Sequence, residues 1–260
     1  MSIVSRHVDL ATTPQIEDVS ETATLAQWPD LAREYQNLIE ADDLDSGALR
    51  HLGLIPNVLQ LLGDVSSSQV LDAGTGTSWL FRHVAPKRAF ACDLTRPTEL
   101  VDGVTFRIND LAALSWPDHE FDVVVASLVL MYCPDLDAAL RELRRVTKDK
   151  GRLIIALMSP YFYRTGEVQD DGAFTIRRPV DASRAFPLYI AQTVGPLMYF
   201  HRSLPQYVNA LVRCGWSLTE LRDWHINMAD YNEETIGKLR ERRSRTDLVP
   251  MFTFLACSAA

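Results

Sequence analysis

The sequence predicts an α/β fold in which a parallel sheet carries helices on both faces. Three observations lead there. Short apolar runs alternate with helical segments between residues 69 and 158, the order that βαβ units require. One run, Val70-Leu71, ends in Asp72 and continues as Ala73-Gly74-Thr75-Gly76-Thr77-Ser78. That is the shape of a strand turning through glycine into a helix N-terminus, where backbone can approach a ligand closely and amides favour anions. Two further runs end in Asp93 and Asp110, so three carboxylates fall at the carboxyl edge of the strands, where open parallel sheets bind ligands.

Taken in order, residues 1–24 are polar and acidic and predict a loose tail or short helix. From Leu25 to Glu40 the apolar positions Leu25, Trp28, Leu31, Tyr35, Leu38 and Ile39 share one helical face. Asp42, Asp43 and Asp45 form an acidic loop broken by Gly47, and a second helix spans Ile55–Leu62, opened by Pro56 and stopped by Gly63. Gln69–Asp72 is the first core strand and Ser78–Val84 the helix after it; Ala89–Cys92 and Val104–Ile108 are the next strands. Phe121–Leu130 is a continuous apolar run, expected in the middle of the sheet and covered on both faces. Asp135–Val146 is an amphipathic helix, Gly151 follows, and Arg152–Met158 is the fifth strand.

After Pro160 the pattern breaks. Residues 161–200 mix aromatics, among them Tyr163 and Tyr199, with Pro179, Pro187 and Pro196 and show no long period. Ser203–Cys214 returns to a helix with Ser203 as N-cap, Pro205 in its first turn and Gly215 at its end. Ser217–Trp224 and Phe252–Ser258 read as strands, with a charged helix over Glu233–Arg245 between them.

The glycine turn discriminates between ligands. A dinucleotide fingerprint needs a third glycine where Trp79 stands, and the Asp72 carboxylate repels a pyrophosphate while attracting an ammonium group. Asp72-Ala-Gly74-Thr-Gly76-Thr-Ser78 resembles motif I of the class I S-adenosylmethionine-dependent methyltransferases, with Ser78 in place of the last glycine. Ala91-Cys92-Asp93-Leu94, Asn109-Asp110-Leu111, the run from Leu114 through Pro117, Phe121-Asp122 and Ser127 to Leu130, and Gly151-Arg-Leu-Ile-Ile-Ala extend the resemblance across residues 69–158. It implies a three-layer, Rossmann-like α/β/α methyltransferase sheet, mostly parallel with an antiparallel C-terminal strand, plus an aromatic-rich cap insertion. The expected organisation is a single domain: a helical cover over 1–65, a cofactor-binding core over 66–158, the cap over 159–202 and the remainder of the sheet over 203–260.

The resemblance also implies residue roles toward S-adenosylmethionine, with S-adenosylhomocysteine as product. Asp72 would hold the methionine amino group, and Ala73, Gly74 and Gly76 would carry the methionine part. Asp93 would accept from the ribose hydroxyls and Leu94 pack on adenine. Asn109, Asp110 and Leu111 would meet the adenine amino group and its surroundings, and Ser127 would lie near the sulfonium. His201 is the candidate general base, beside the reading of an ordinary structural histidine. Tyr35, Tyr163 and Tyr199 are candidate acceptor contacts, beside core packing.

Composition bounds the function. The 260 residues are 47% hydrophobic and carry a net charge of −8, a poor match to phosphate backbones, so no nucleic-acid substrate is expected. The four cysteines are scattered without metal-ligand spacing and read as buried free thiols, which fits a cytoplasmic location. No signal peptide, membrane span or metal site is expected. The expected activity is methyl transfer to O, N or C of a small, apolar or aromatic acceptor by a monomer or homodimer. The alternatives are a cofactor-binding protein of the same fold with a non-methylating reaction such as cyclisation, a macromolecular methyltransferase, or a non-enzymatic binding protein.

Overall fold

The computed structural model describes Trp28, Ala32 and residues 50–161, 166–168, 174–176, 184–188, 197–225 and 250–260. Trp28 and Ala32 are helical; the remainder of the helix expected over Leu25–Glu40, and that over Glu233–Arg245, lie outside the described residues. A π-helical turn, Arg50–Leu54, leads into helix α1, Ile55–Leu62, which has Pro56 in its first turn and ends at Gly63 with φ +63°. Strands β1 (Gln69–Ala73), β2 (Arg88–Asp93), β3 (Thr105–Ile108) and β4 (Phe121–Ser127) follow. Helix α2, Leu136–Val146, starts at its N-cap Asp135, whose side chain accepts from Ala138 N at 2.8 Å. It runs directly into β5, Thr147–Met158.

Beyond β5 come two small antiparallel pairs, β6 (Gly166–Val168) with β7 (Phe174–Ile176) and β8 (Arg184–Leu188) with β9 (Leu197–His201). Helix α3, Leu204–Arg213, opens on a capping box between Ser203 and Gln206, and β10 (Trp216–Trp224) and β11 (Phe252–Ala259) complete the sheet. Its order is β10-β11-β5-β4-β1-β2-β3. The pairs among β3, β2, β1, β4 and β5 are parallel, and β11 is antiparallel to both of its neighbours. This is the mostly parallel, Rossmann-like α/β/α sheet that the sequence predicts.

Two cores flank it. Leu71, Phe90, Val124 and Ile155 face α2 and α3 on one side, and Val70, Ala91, Val125 and Ile154 face α1 on the other. The alternation follows from the two-residue period of a strand.

The structure corrects three boundaries. The helix expected over Ser78–Val84 is a single 3₁₀ turn, Leu80–Arg82. Ser78 sits at φ +55°, which no helix admits, and Pro86 closes the segment shortly after. Strand β4 stops at Ser127, not Leu130, because Leu128 adopts φ +53° and turns the chain into a 3₁₀ turn over Leu130–Tyr132. Strand β5 begins four residues before Gly151, since the end of α2 passes straight into it and Lys150, at φ +64°, absorbs the irregularity. The segment from Pro160 to His201, which has no readable period, contains strands.

Candidate functional site

Strand periodicity sets which way each acid points. In β1, Asp72 shares a face with Val70, toward α1; in β2, Asp93 shares a face with Ala91, on the same side. Leu71, Ala73 and Cys92 point the other way, into the core under α2. Ala73 therefore belongs to the core by its side chain and offers the site backbone alone. Asp110 follows β3, two residues past Ile108, which pairs with Asp93. The three carboxylates thus gather at one sheet edge.

Asp93 and Asp110 line a cavity of about 100 Å3 together with the Gly74–Thr77 loop, Leu94, Asn109, Leu111 and Ser127. Asp72 lies just beneath it, 1% exposed. Thr75 stands over Asp72, its hydroxyl donating to Oδ2 at 2.6 Å. Burial pushes the Asp72 carboxyl up to about 7, with the Thr75 hydrogen bond opposing, the neighbouring Asp93 charge adding and the Arg50 charge opposing.

Asp93 is held more elaborately. Gly76 N donates to Oδ2 at 2.8 Å and Leu94 N to Oδ1 at 2.8 Å. Burial raises its carboxyl as well, against the Gly76 backbone donor and the Trp28 indole. The glycines earn their positions differently: a Cβ on Gly74 (φ +74°) would come within 2.4 Å of Val129 Cγ2, whereas one on Gly76 (φ +54°) would project into open space. Gly74 thus lets the loop pack against the turn after β4, and Gly76 leaves room above the loop.

Asp110 closes a tight turn by accepting from Ala112 N through Oδ1, which leaves Oδ2 available. Asn109 is drawn partly away from the cavity by its hydrogen bond to Ser115 Oγ at 3.0 Å. Ser127 Oγ is buried without a hydrogen-bond partner at the end of β4. Tyr199, on β9, lies behind the wall: its ring meets that of the lining residue Tyr132 edge-on at 6.0 Å. His201 is buried, 1% exposed, at the end of β9 and outside the cavity lining. Tyr35 and Tyr163 lie outside the described residues.

The structure adds residues that the sequence does not announce. Trp28 Nε1 donates to Asp93 Oδ1 at 2.6 Å, so a residue 65 positions upstream reaches the carboxylate expected to serve the ribose. Arg50, 8% exposed, lines the cavity and donates to Thr77 Oγ1 at 3.4 Å. Trp28 is visible in sequence only as one apolar position on a helical face, and Arg50 carries no local signal. Tyr132 and Cys133 complete the rim. All four cysteines are free, but Cys133 is only half-buried and faces the cavity, unlike the buried thiol expected there. Burial nonetheless raises its thiol to about 12, which makes it a poor nucleophile.

The residues present suit S-adenosylmethionine, which carries an ammonium, a carboxylate, a sulfonium, a diol and a flat base. Buried acids stand ready for the cation and the diol, a guanidinium for the carboxylate, an unpaired hydroxyl lies at the end of β4, and Leu94 and Leu111 offer apolar walls.

Comparison with known proteins agrees. The family model described as "Methyltransferase domain" matches residues 71–155. The chain is 26% identical over 151 residues to the malonyl-[acyl-carrier protein] O-methyltransferase of Hamiltonella defensa subsp. Acyrthosiphon pisum (strain 5AT), covering 55% of each protein. It is 39% identical over 106 residues to the demethylmenaquinone methyltransferase of Thermobifida fusca (strain YX), covering 36% of this chain and 45% of that one. The chain thus spans about half the length of the curated relatives it matches. Among solved structures, an S-adenosylmethionine dependent methyltransferase from Mesorhizobium loti superposes with a TM-score of 0.61 at 22% identity, over 83% of this chain and 99% of that one; at that identity the likeness is one of fold.

Proposed function

We infer that the chain, whose residues 71–155 match a methyltransferase domain, transfers the methyl group of S-adenosylmethionine to a small, apolar or aromatic organic acceptor. The observation that carries this reading is the gathering of Asp93, Asp110 and the Gly74–Thr77 loop around one cavity, with Asp72 beneath it. The cofactor supplies an electrophilic methyl group on a sulfonium. The protein's part is to bind, align and exclude water, and alignment of two reactants can contribute roughly 7–11 kcal/mol.

Asp93 would accept from the ribose, Asp110 Oδ2 from the adenine amino group, and Leu94 and Leu111 would offer apolar walls to the base. Asp72 acts on the ammonium through Thr75, since Thr75 stands between it and the cavity. Ser127 Oγ, unpaired in the cavity wall, would lie near the sulfonium. Tyr132, backed by Tyr199, would offer the acceptor an aromatic wall. No histidine lines the cavity among the described residues, which favours an acceptor atom that needs no histidine base, and His201 serves the packing of β9.

Two relatives frame the acceptor class: one is named for malonyl-[acyl-carrier protein], the other for demethylmenaquinone. Calorimetry with S-adenosylhomocysteine should give a micromolar dissociation constant, and incubation with methyl-labelled S-adenosylmethionine and a panel of small carboxylates, phenols and quinones should label one class. Absence of cofactor binding by a folded protein refutes the reading; cofactor binding with turnover of an acceptor but no label transfer replaces methyl transfer by another reaction.

A further inference from the structure

The chain that follows Asp110 is gripped by two side chains of α2. Glu142 and Arg145 stand three residues apart on one helical face and pair bidentately, Nε to Oε1 at 2.8 Å and Nη2 to Oε2 at 2.7 Å. Glu142 Oε2 also accepts from Leu114 N at 2.8 Å. Arg145 donates in addition to Leu114 O at 2.8 Å, Trp116 O at 2.9 Å and Asp118 Oδ1 at 2.6 Å. The guanidinium thus makes five hydrogen bonds with its five N–H donors, and one ion pair holds both backbone groups of Leu114. The Arg145 hydrogen bond keeps the Glu142 carboxyl below its ordinary range, so the pair is ionised at neutral pH.

Between Asp110 and Leu114 the chain is closed on itself. Ala113 N donates to Asp110 O at 3.0 Å, and Asp110 Oδ1 accepts from Ala112 N at 2.9 Å. A shift of Leu114 therefore carries to Asp110 and Leu111, which line the cavity, whereas Glu142 and Arg145 do not. The loop has other attachments. Asn109 N donates to Asp93 O at 2.9 Å and fixes its strand end, while the hydrogen bonds of Arg107 and Asn109 to Ser115 are exposed, where water competes. We propose that the Glu142–Arg145 pair positions Asp110 against the base of the cofactor, and so sets from outside the cavity the site's preference for the 6-amino group of adenine. This rests on reading Asp110 as the acceptor of that amino group.

The test compares, by calorimetry, S-adenosylhomocysteine with its purine analogue, in which hydrogen replaces the 6-amino group. The wild-type protein should prefer S-adenosylhomocysteine about 10-fold, as one hydrogen bond to a charged group allows. Arg145→Gln should cut that preference to about 3-fold, weakening S-adenosylhomocysteine while changing the analogue less than about 2-fold. Arg145→Lys, which keeps the charge but loses the fork that spans two carbonyls, should fall between; it carries the test if Arg145→Gln does not fold. Asp110→Asn should remove the preference, and adding Arg145→Gln to it should change S-adenosylhomocysteine affinity by less than about 2-fold, since both act through one contact. Equal loss for both ligands makes the pair a support of the whole cavity, and an unchanged preference leaves the loop to Asn109 and Arg107; either result overturns the proposal. A preference that survives Asp110→Asn, or is absent from the wild type, instead removes the reading of Asp110, and the proposal falls with it.

Discussion

Replacing Trp28 with phenylalanine is expected to tighten cofactor binding. The indole N–H donates to Asp93 Oδ1 at 2.6 Å, and the same oxygen already accepts from Leu94 N, so a ribose hydroxyl must displace the indole to reach it. The enclosed space, about 100 Å3 with Trp28 in place, is also below the roughly 300–1,000 Å3 typical of ligand pockets. A hydrogen bond to a charged group contributes about 1.5–3 kcal/mol net, which at ~1.4 kcal/mol per decade is a ceiling of roughly 10- to 100-fold. The two backbone donors still hold Asp93 after the substitution, and phenylalanine keeps part of the apolar cover. The expected gain in S-adenosylhomocysteine affinity is therefore at the low end, about 10-fold. Calorimetry on wild type and Trp28→Phe, with melting curves to verify the fold, measures it. Equal or weaker binding by a folded variant would refute the reasoning, because the indole would then be part of the ribose enclosure and not its competitor.

Asp72→Asn should remove a pH-dependent cost. The Asp72 carboxyl is raised from 3.8 to about 7 by burial, so the folded state holds a proton that the unfolded chain releases, and stability from this group is lost as pH rises from about 4 to 7. A shift of that size corresponds to roughly 4 kcal/mol at most; urea midpoints should show the variant gaining on wild type between pH 5 and pH 8, and a constant difference would contradict the sign. Gly74→Ala should cost more stability than Gly76→Ala: both sit at positive φ, a strain of roughly 1 kcal/mol, but only the first drives a Cβ to 2.4 Å from Val129. Chemical denaturation that ranks them the other way would reject this packing. Asp110→Asn keeps the turn to Ala112 N and loses the charge, so S-adenosylhomocysteine should bind about 10-fold more weakly with an unchanged melting temperature, a loss typical of one hydrogen bond. Asp135→Ala removes the cap on α2 and should cost about 1 kcal/mol by denaturation without affecting ligand affinity.

What the chain determines locally was legible from it. The two-residue alternation in β1 and β2, the amphipathic stripe of α2, the Pro56 and Gly63 punctuation of α1 and the Ser203 cap of α3 all depend on neighbours a few residues away. The ends of three strands therefore carry their acids where the pattern puts them. That the helix expected after the glycine turn shrinks to a single 3₁₀ turn was not legible, because whether Ser78 enters a left-handed conformation depends on how the loop packs. The strands between Pro160 and His201 pair where the mixed aromatics and prolines show no strand period.

The identity of the acids and glycines, and the sheet edge on which they meet, came from the sequence alone, since strand period and the parallel order are set by local pattern. Their partners came from tertiary structure: Trp28 reaches Asp93 across 65 positions and Arg50 reaches Thr77 across 27. A hydrogen bond between residues so far apart leaves no periodic trace in the chain, because it is fixed by where whole elements pack and not by spacing along the backbone.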